Sequence, residues 1–250
     1  MKKILACFAL LLLSACGGSS SDTGSGSGFN ADFYASEFNQ STDSTLYQMD
    51  SSNGSVQVVG NVAAQITDIA LLDGVLYAVS FSDLYTLNQL TGDATLIGAT
   101  GFENTNALAG DAGVLYAANT DGDFYSLNLT TGASTLIGNF GSGMTSSGDI
   151  AFDEDGNLFA SVNVGSVEND SLAQVNVSSG VASLLGETGL DKVYGLAVKD
   201  STLYGTLFDG ALVTLSNTGV ATRIAQDNSF FARTGEFSNS VNVGGLTAIE

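Results

Sequence analysis

Asp68 and Asp149 stand at matching points of a recurring text, in "TDIALL" (67–72) and "GDIAF" (148–152). Two carboxylates brought together are what glycoside hydrolysis uses, one as proton donor and one as base or nucleophile. Other polar and aromatic groups recur with the same text. Segments before the short apolar runs carry Asp68, Glu103, Asn104, Asn106, Asp149, Asp191 and Tyr194. Segments further along each unit carry Phe81, Asp83, Asn119, Asp121, Asp123, Glu168, Asp170, Phe208 and Asp209. Carboxylates and amides beside aromatic platforms suit recognition of a sugar or a peptide. Asp and Asn are also turn formers in their own right, so each of these residues taken alone reads first as turn chemistry.

Much other chemistry is excluded. The chain has no His, which removes imidazole acid–base work and His metal sites. It has two Cys, Cys7 and Cys16, both near the N-terminus. No Gly-rich loop follows a strand and opens a helix, so nucleotide binding is not expected. "NTDGD" (119–123) and "DEDGN" (153–157) resemble fragments of calcium loops, but neither runs on to a twelfth-position Glu. Both read as turns. No cofactor or metal site is expected, and calcium is the one ion these loops leave open. With 26 acidic residues against 6 basic ones, the chain repels nucleic acid and anionic headgroups and attracts cations.

The N-terminus gives an address. Lys2 and Lys3 precede an apolar run, Ile4 to Leu13, that is too short to span a bilayer. It reads as an export signal, residues 1–15. The signal ends in "LSAC" (13–16), which resembles the lipobox of bacterial lipoproteins. That resemblance implies lipidation of Cys16, a membrane anchor, and, with Gly17 rather than Asp following, the outer membrane. Residues 16–28, "CGGSSSDTGSGSG", then form a flexible spacer. Once the signal is removed and Cys16 acylated, no thiol remains for a disulfide. The domain, residues 29–250, must stand on its core, and it is long enough to bury one.

The elements that position the polar set are written in the repeat. "VLYAVSFSDLYTLNQLTGDATLIG" (75–98) returns as "VLYAANTDGDFYSLNLTTGASTLIG" (114–138). Self-similarity at such a period marks solenoids, propellers or arrays. Each unit holds an apolar run, an "LYA"-like segment, an alternating segment such as "DLYTLN", and an "ATLIG"-like segment. Alternation rich in Leu, Val, Tyr and Thr is strand periodicity, so each unit reads as four antiparallel strands. The turn before the fourth strand ends in Gly54, Gly92, Gly132, Gly180 or Gly219, the residue that a left-handed turn position favours. The first unit lacks its opening strand, and the chain ends in "VGGLTAIE" (243–250), which has that strand's character. The expected fold is an all-β, five-bladed β-propeller of four-stranded blades. It is closed by the C-terminal strand pairing with the N-terminal blade, which hides strand edges.

The repeat resembles bacterial secreted propellers with quinoprotein-like or YVTN-like blades, over residues 33–250. That resemblance implies architecture and not activity, because propellers host enzymes, lectins and scaffolds alike. It also places the first strand of each blade along a central channel. The expected ligand face is then Asp68, Phe81, Asp83, Asn106, Asn119, Asp121, Asp149, Asp191, Tyr194, Phe208 and Asp209. The functional expectation is a lipid-anchored, non-enzymatic binding or scaffold module for a protein or glycan. The alternatives are a glycan-active hydrolase or lyase using paired channel carboxylates, and a cation-dependent adhesion domain. The segment 226–242 breaks the repeat, and its Phe230, Phe231, Phe237 and Arg233 read as a plug or an exposed patch.

Overall fold

The structure, a computed structural model, describes residues 29–39, 43–224 and 241–249. The signal, Cys16, the spacer and the Phe230–Phe237 segment lie outside these residues.

All elements of the described residues are strands, and they fall into five four-stranded antiparallel sheets. Blade I consists of β20 (Val241–Ala248), β1 (Phe33–Asn39), β2 (Ser44–Met49) and β3 (Val56–Val62). Blade II is β4 (Asp68–Leu72), β5 (Val75–Val79), β6 (Asp83–Leu87) and β7 (Ala94–Ala99). Blade III is β8 (Thr105–Asp111), β9 (Val114–Asn119), β10 (Asp123–Leu127) and β11 (Ser134–Asn139). Blade IV is β12 (Met144–Phe152), β13 (Leu158–Val164), β14 (Ser171–Val175) and β15 (Ala182–Glu187). Blade V is β16 (Val193–Lys199), β17 (Thr202–Leu207), β18 (Leu212–Leu215) and β19 (Ala221–Arg223). Each blade meanders outward, and the inner strands β20, β4, β8, β12 and β16 adjoin one another around the axis.

The ring closes as the repeat requires. β20 pairs with β1, placing Leu246 opposite Ala35 and Thr247 opposite Tyr34. The C-terminus therefore supplies the inner strand that the first unit lacks.

The apolar core is divided among the blade interfaces. Among the described residues, five buried clusters occur, and each straddles one pair of neighbouring blades. Leu72, Val79 and Leu84 of blade II meet Leu115, Ala117 and Tyr125 of blade III. Phe33, Tyr47 and Met49 of blade I meet Ala197 and Leu212 of blade V, so the closing seam has a core of its own. Side chains alternate along a strand, so one face of each blade packs on each neighbour, while the outer strands remain largely exposed, as at Leu96, Leu136 and Leu184.

The recurrent "G" of the "ATLIG" text has a packing cause. Gly98 in β7 lies against Thr131 and Gly132 in the outer turn of blade III, and a Cβ on Gly98 would collide with the Thr131 carbonyl. Gly60 meets Thr91 and Gly92 in the same way, Gly138 meets Ser179 and Gly180, and Gly186 meets Thr218 and Gly219. Four of the five blade-to-blade steps thus seat one backbone on the next. At the closing seam Gly54 meets the Leu212 side chain instead, at 3.4 Å from an ideal Cβ. The turn glycines themselves carry positive φ, +72° at Gly54 and +87° at Gly219, as the turn chemistry demands.

Candidate functional site

The channel is filled at its waist by Asp68 and Asp149, both fully buried. The cause is the sheet edge. An inner strand pairs on one side only, and its other edge turns unpaired N–H groups toward the axis, where an unpaired buried donor is costly. The two carboxylates satisfy these donors. Asp68 accepts from Ile69 N–H at 2.7 Å and Leu108 N–H at 2.6 Å. Asp149 accepts from Ile150 N–H at 2.6 Å, Leu196 N–H at 2.5 Å and Leu246 N–H. Those five donors come one from each blade, at the same position of each inner strand.

The residue before each donor reads Asp68, Ala107, Asp149, Gly195 and Gly245. Two carboxyl groups occupy the axis, and three small residues leave room for them. A Cβ on Gly245 would strike Asp68 Oδ1. The carboxyls also hydrogen-bond to each other. Burial pushes both groups well above the usual carboxylate range, and the Asp149 charge adds to the rise at Asp68. The five N–H groups oppose that rise. Two buried carboxyls in contact cannot both be charged without a large penalty, so the pair favours keeping a proton between them.

Above this waist, where the chain enters the inner strands, lies a cavity of about 200 Å³. Its walls are Phe38, Thr67, Phe81, Asn106, Ser147, Gly148, Tyr194 and Gly244. Bulges produce most of it. The register of the inner strand against its neighbour shifts at Asn106 in β8, at Ser147–Asp149 in β12, at Tyr194 in β16 and at Gly244 in β20. A bulge breaks the alternation of side chains and re-aims a residue, here toward the cavity. Gly148 is packed on the Tyr194 backbone, with an ideal Cβ 2.5 Å from Tyr194 Cα. Thr67 is held by the Thr105 carbonyl at 2.8 Å.

The rim of this cavity is aromatic and acidic. Phe38 and Phe81 meet edge to face, their centroids 5.5 Å apart. Phe208 meets Tyr194 in the same way at 6.1 Å, and Lys192 Nζ sits 4.5 Å above the Phe208 ring. Asp170 is buried and accepts from Ser147 Oγ and Val193 N–H, both at 2.6 Å. Burial raises its pKa, the two hydrogen bonds oppose that, and the Asp191 charge adds to it. Burial also pushes up the Tyr194 phenol, and the charges of Asp170 and Asp191 push it further, so the rim is negative. Asn106 donates from Nδ2 to the Ser146 carbonyl at 3.4 Å, and its buried Oδ1 has no hydrogen-bond partner among the described residues.

The opposite end of the channel holds a larger cavity, about 380 Å³, lined by the far ends of the inner strands and their hairpins. Asp111, Asp153, Glu154, Lys199 and Asp200 stand at its mouth. Lys199 is engaged with Asp32 at 3.3 Å, and Glu154 accepts from Ser201 Oγ at 2.8 Å. Sequence reasoning assembled its candidates on the upper face and did not foresee this cavity.

The expected site residues separate into groups. Phe81, Asn106 and Tyr194 come together in the upper cavity, with Phe208 against Tyr194. Asp83 lies beside Phe81 in an adjoining recess. Asp68 and Asp149 lie below, sealed in the waist. Asn119 is buried and tied into its turn, accepting from Asp121 N–H at 3.1 Å and Asp123 N–H at 2.9 Å. Asp121 and Asp191 are exposed on loops, and Asp209 pairs with Arg223 at 3.3 Å. "DEDGN" is a hairpin turn in which Asp153 accepts from Asp155 N–H and Asn157 N–H. Among the described residues, no group of three or more Asp, Glu, His or Cys is arranged to hold a metal ion. Phe38, Thr67, Ser147, Gly148 and Gly244 were missed, the last three because strict alternation does not announce a bulge.

The architecture defines the class: the chain is a five-bladed β-propeller. No protein-family model matches it, and no curated protein matches its sequence. A chain of a nidogen/laminin complex is similar to it in fold, at 10% identity and a TM-score of 0.54, over 86% of this chain and 98% of that one. A gluconolactonase from Xanthomonas campestris aligns at 15% identity and a TM-score of 0.46, over 74% of this chain and 66% of that one. A structural-genomics protein of unknown function from Bacteroides thetaiotaomicron aligns at 17% identity and a TM-score of 0.48, over 74% and 54%.

Proposed function

We propose that this propeller is a non-enzymatic binding or scaffold module that engages a protein or glycan through its upper face, tethered to the outer membrane by a lipid on Cys16. The observation that carries the reading is the upper cavity. It is aromatic at the rim and is lined by Asn106, whose buried Oδ1 has no hydrogen-bond partner among the described residues. A buried acceptor left unpaired costs about 1–3 kcal/mol, and a ligand donor would recover it. That a chain of a nidogen/laminin complex shares the fold fits a protein-binding role.

The waist carboxylates do not favour hydrolysis. A general acid and its partner must reach a substrate, yet Asp68 and Asp149 are fully buried and spend their oxygens on five backbone donors and each other.

The test is crosslinking of the lipidated protein in its native envelope, followed by capture. Cys16→Ser serves as the anchor control, and Phe81→Ala and Phe208→Ala as face variants. A partner captured by the wild type and lost in the face variants supports the reading. Capture that is indifferent to both face variants refutes the assigned face, and a Cys16→Ser protein that stays with membranes refutes the anchor.

A further inference from the structure

The upper cavity has a ligand chemistry written into it. The Asn106 amide is oriented by its donation to the Ser146 carbonyl, since turning it over would set oxygen against oxygen. Asn106 lines the site and its buried Oδ1 has no partner among the described residues, so an occupant that satisfies it must bring an N–H or O–H donor. The walls beside it are ring systems, Phe38, Phe81 and Tyr194. Aromatic faces attract cations, more strongly where water is partly excluded. The rim already shows this pairing once, with Lys192 over Phe208. Buried Asp170 stands directly behind Ser147, and no described basic side chain lines the cavity. At about 200 Å³ the space admits one side chain rather than a drug-sized ligand. Over the whole chain, 26 acidic residues against 6 basic ones draw positively charged partners toward this mouth.

We propose that the upper cavity receives the cationic side chain of an arginine or lysine presented by a protein partner. The guanidinium or ammonium group donates to Asn106 Oδ1 and lies against Phe81 and Tyr194, with Asp170 supplying charge from behind. This inference rests on the binding-module reading and narrows its ligand from protein or glycan to a basic protein segment.

The test titrates three capped pentapeptides into the mature chain, followed by backbone and side-chain amide NMR. The peptides are Gly-Gly-Arg-Gly-Gly, its Lys counterpart, and its citrulline counterpart, which keeps the shape of Arg and lacks the charge. The Arg and Lys peptides should shift the Asn106 and Tyr194 signals saturably, and citrulline should bind about tenfold more weakly, the ratio that 1.4 kcal/mol corresponds to. Asn106→Ala and Phe81→Ala should each weaken the Arg peptide to a similar extent without lowering the melting temperature, and added salt should weaken it further. Citrulline binding as well as Arg, absence of saturable shifts at millimolar peptide, or binding seen only after Arg233→Gln would each overturn the proposal. The last would mean that the chain's own arginine is the occupant. If the peptides fail while envelope capture still depends on Phe81 and Phe208, the binding-face reading stands and only the cation inference falls.

Discussion

Asp68 and Asp149 meet on the propeller axis, hydrogen-bonded to each other and to one backbone N–H from every blade. The contact ties the five sheets together at the axis, in addition to the contacts between neighbouring blades. Its strength depends on a proton. In the unfolded chain both carboxyls ionise near pH 4, whereas in the fold the pair retains a proton well above that. The stabilisation is therefore complete below about pH 4 and is lost as pH rises through the folded value, with a slope of about 1.4 kcal/mol per pH unit for each extra proton held.

Asp68→Asn removes that titration and should flatten this slope. Urea unfolding at several pH values between 5 and 8 measures it. Wild-type stability should fall across the series relative to the variant, and parallel curves would show that no proton is shared. Asp149→Asn should destabilise more than Asp68→Asn, because Asp149 serves three backbone donors and Asp68 serves two. Setting an amide N–H against a backbone N–H costs about 1–3 kcal/mol each time.

Asp32 and Asp50 behave in the opposite sense. Burial raises both, but Ser51 and Lys199 hold Asp32 low, and Ser52 and Asn30 hold Asp50 low, so the net shift is downward. Their contribution is present above about pH 4 and is lost as pH falls through the lowered values. Asp32→Asn should reduce the acid sensitivity of the fold below pH 4 without touching the slope above pH 5. Thermal melts at pH 3 and pH 6 decide it, and an equal loss at both would remove the titration argument.

Most of this architecture was legible in the sequence. The repeat gave the strands, the turn glycines marked the outer hairpins, and "VGGLTAIE" disclosed the closing strand. The waist was also written there, as Asp, Ala, Asp, Gly and Gly at one repeat position. Its meaning was hidden, because a carboxylate in a channel looks the same in sequence whether it faces substrate or backbone. Three-dimensional donors decide that, and here they are N–H groups from non-consecutive strands. The upper cavity was half legible. Phe81, Asn106 and Tyr194 were named from the loops, but Ser147, Gly148 and Gly244 enter through bulges, which leave no mark in an alternating pattern. The glycine of "LIG" was visible as a repeat and unexplained, since its contact is with the next blade.

That contact gives a prediction of its own. Gly98→Ala places a methyl group against the Thr131 carbonyl, where backbone meets backbone and no rotamer offers relief. Overpacking of this kind costs about 1–3 kcal/mol. Gly74→Ala is the control, because a Cβ there meets nothing within 4 Å although its φ of +73° still strains it. If Gly98→Ala unfolds in urea no earlier than Gly74→Ala, the glycine steps are a by-product of the repeat and not a seat between blades.

The last prediction concerns closure. Deleting 244–250 removes Leu246 from the core between blades I and V, and with it the Leu246 N–H that Asp149 accepts. It also exposes the β1 edge along Phe33–Ser36. An open edge beside an emptied core invites pairing with another chain. The truncated protein should therefore melt well below the full chain, without a sharp transition, and should self-associate in sedimentation. Leu246→Ala is the milder form, expected to cost about 2–5 kcal/mol as a buried Leu truncation, with the strand pairing retained. The two variants separate the contributions. If closure works through strand pairing, the deletion must be far worse than Leu246→Ala. If both cost the same, the seam is held by its apolar core, and the C-terminal strand adds only Leu246.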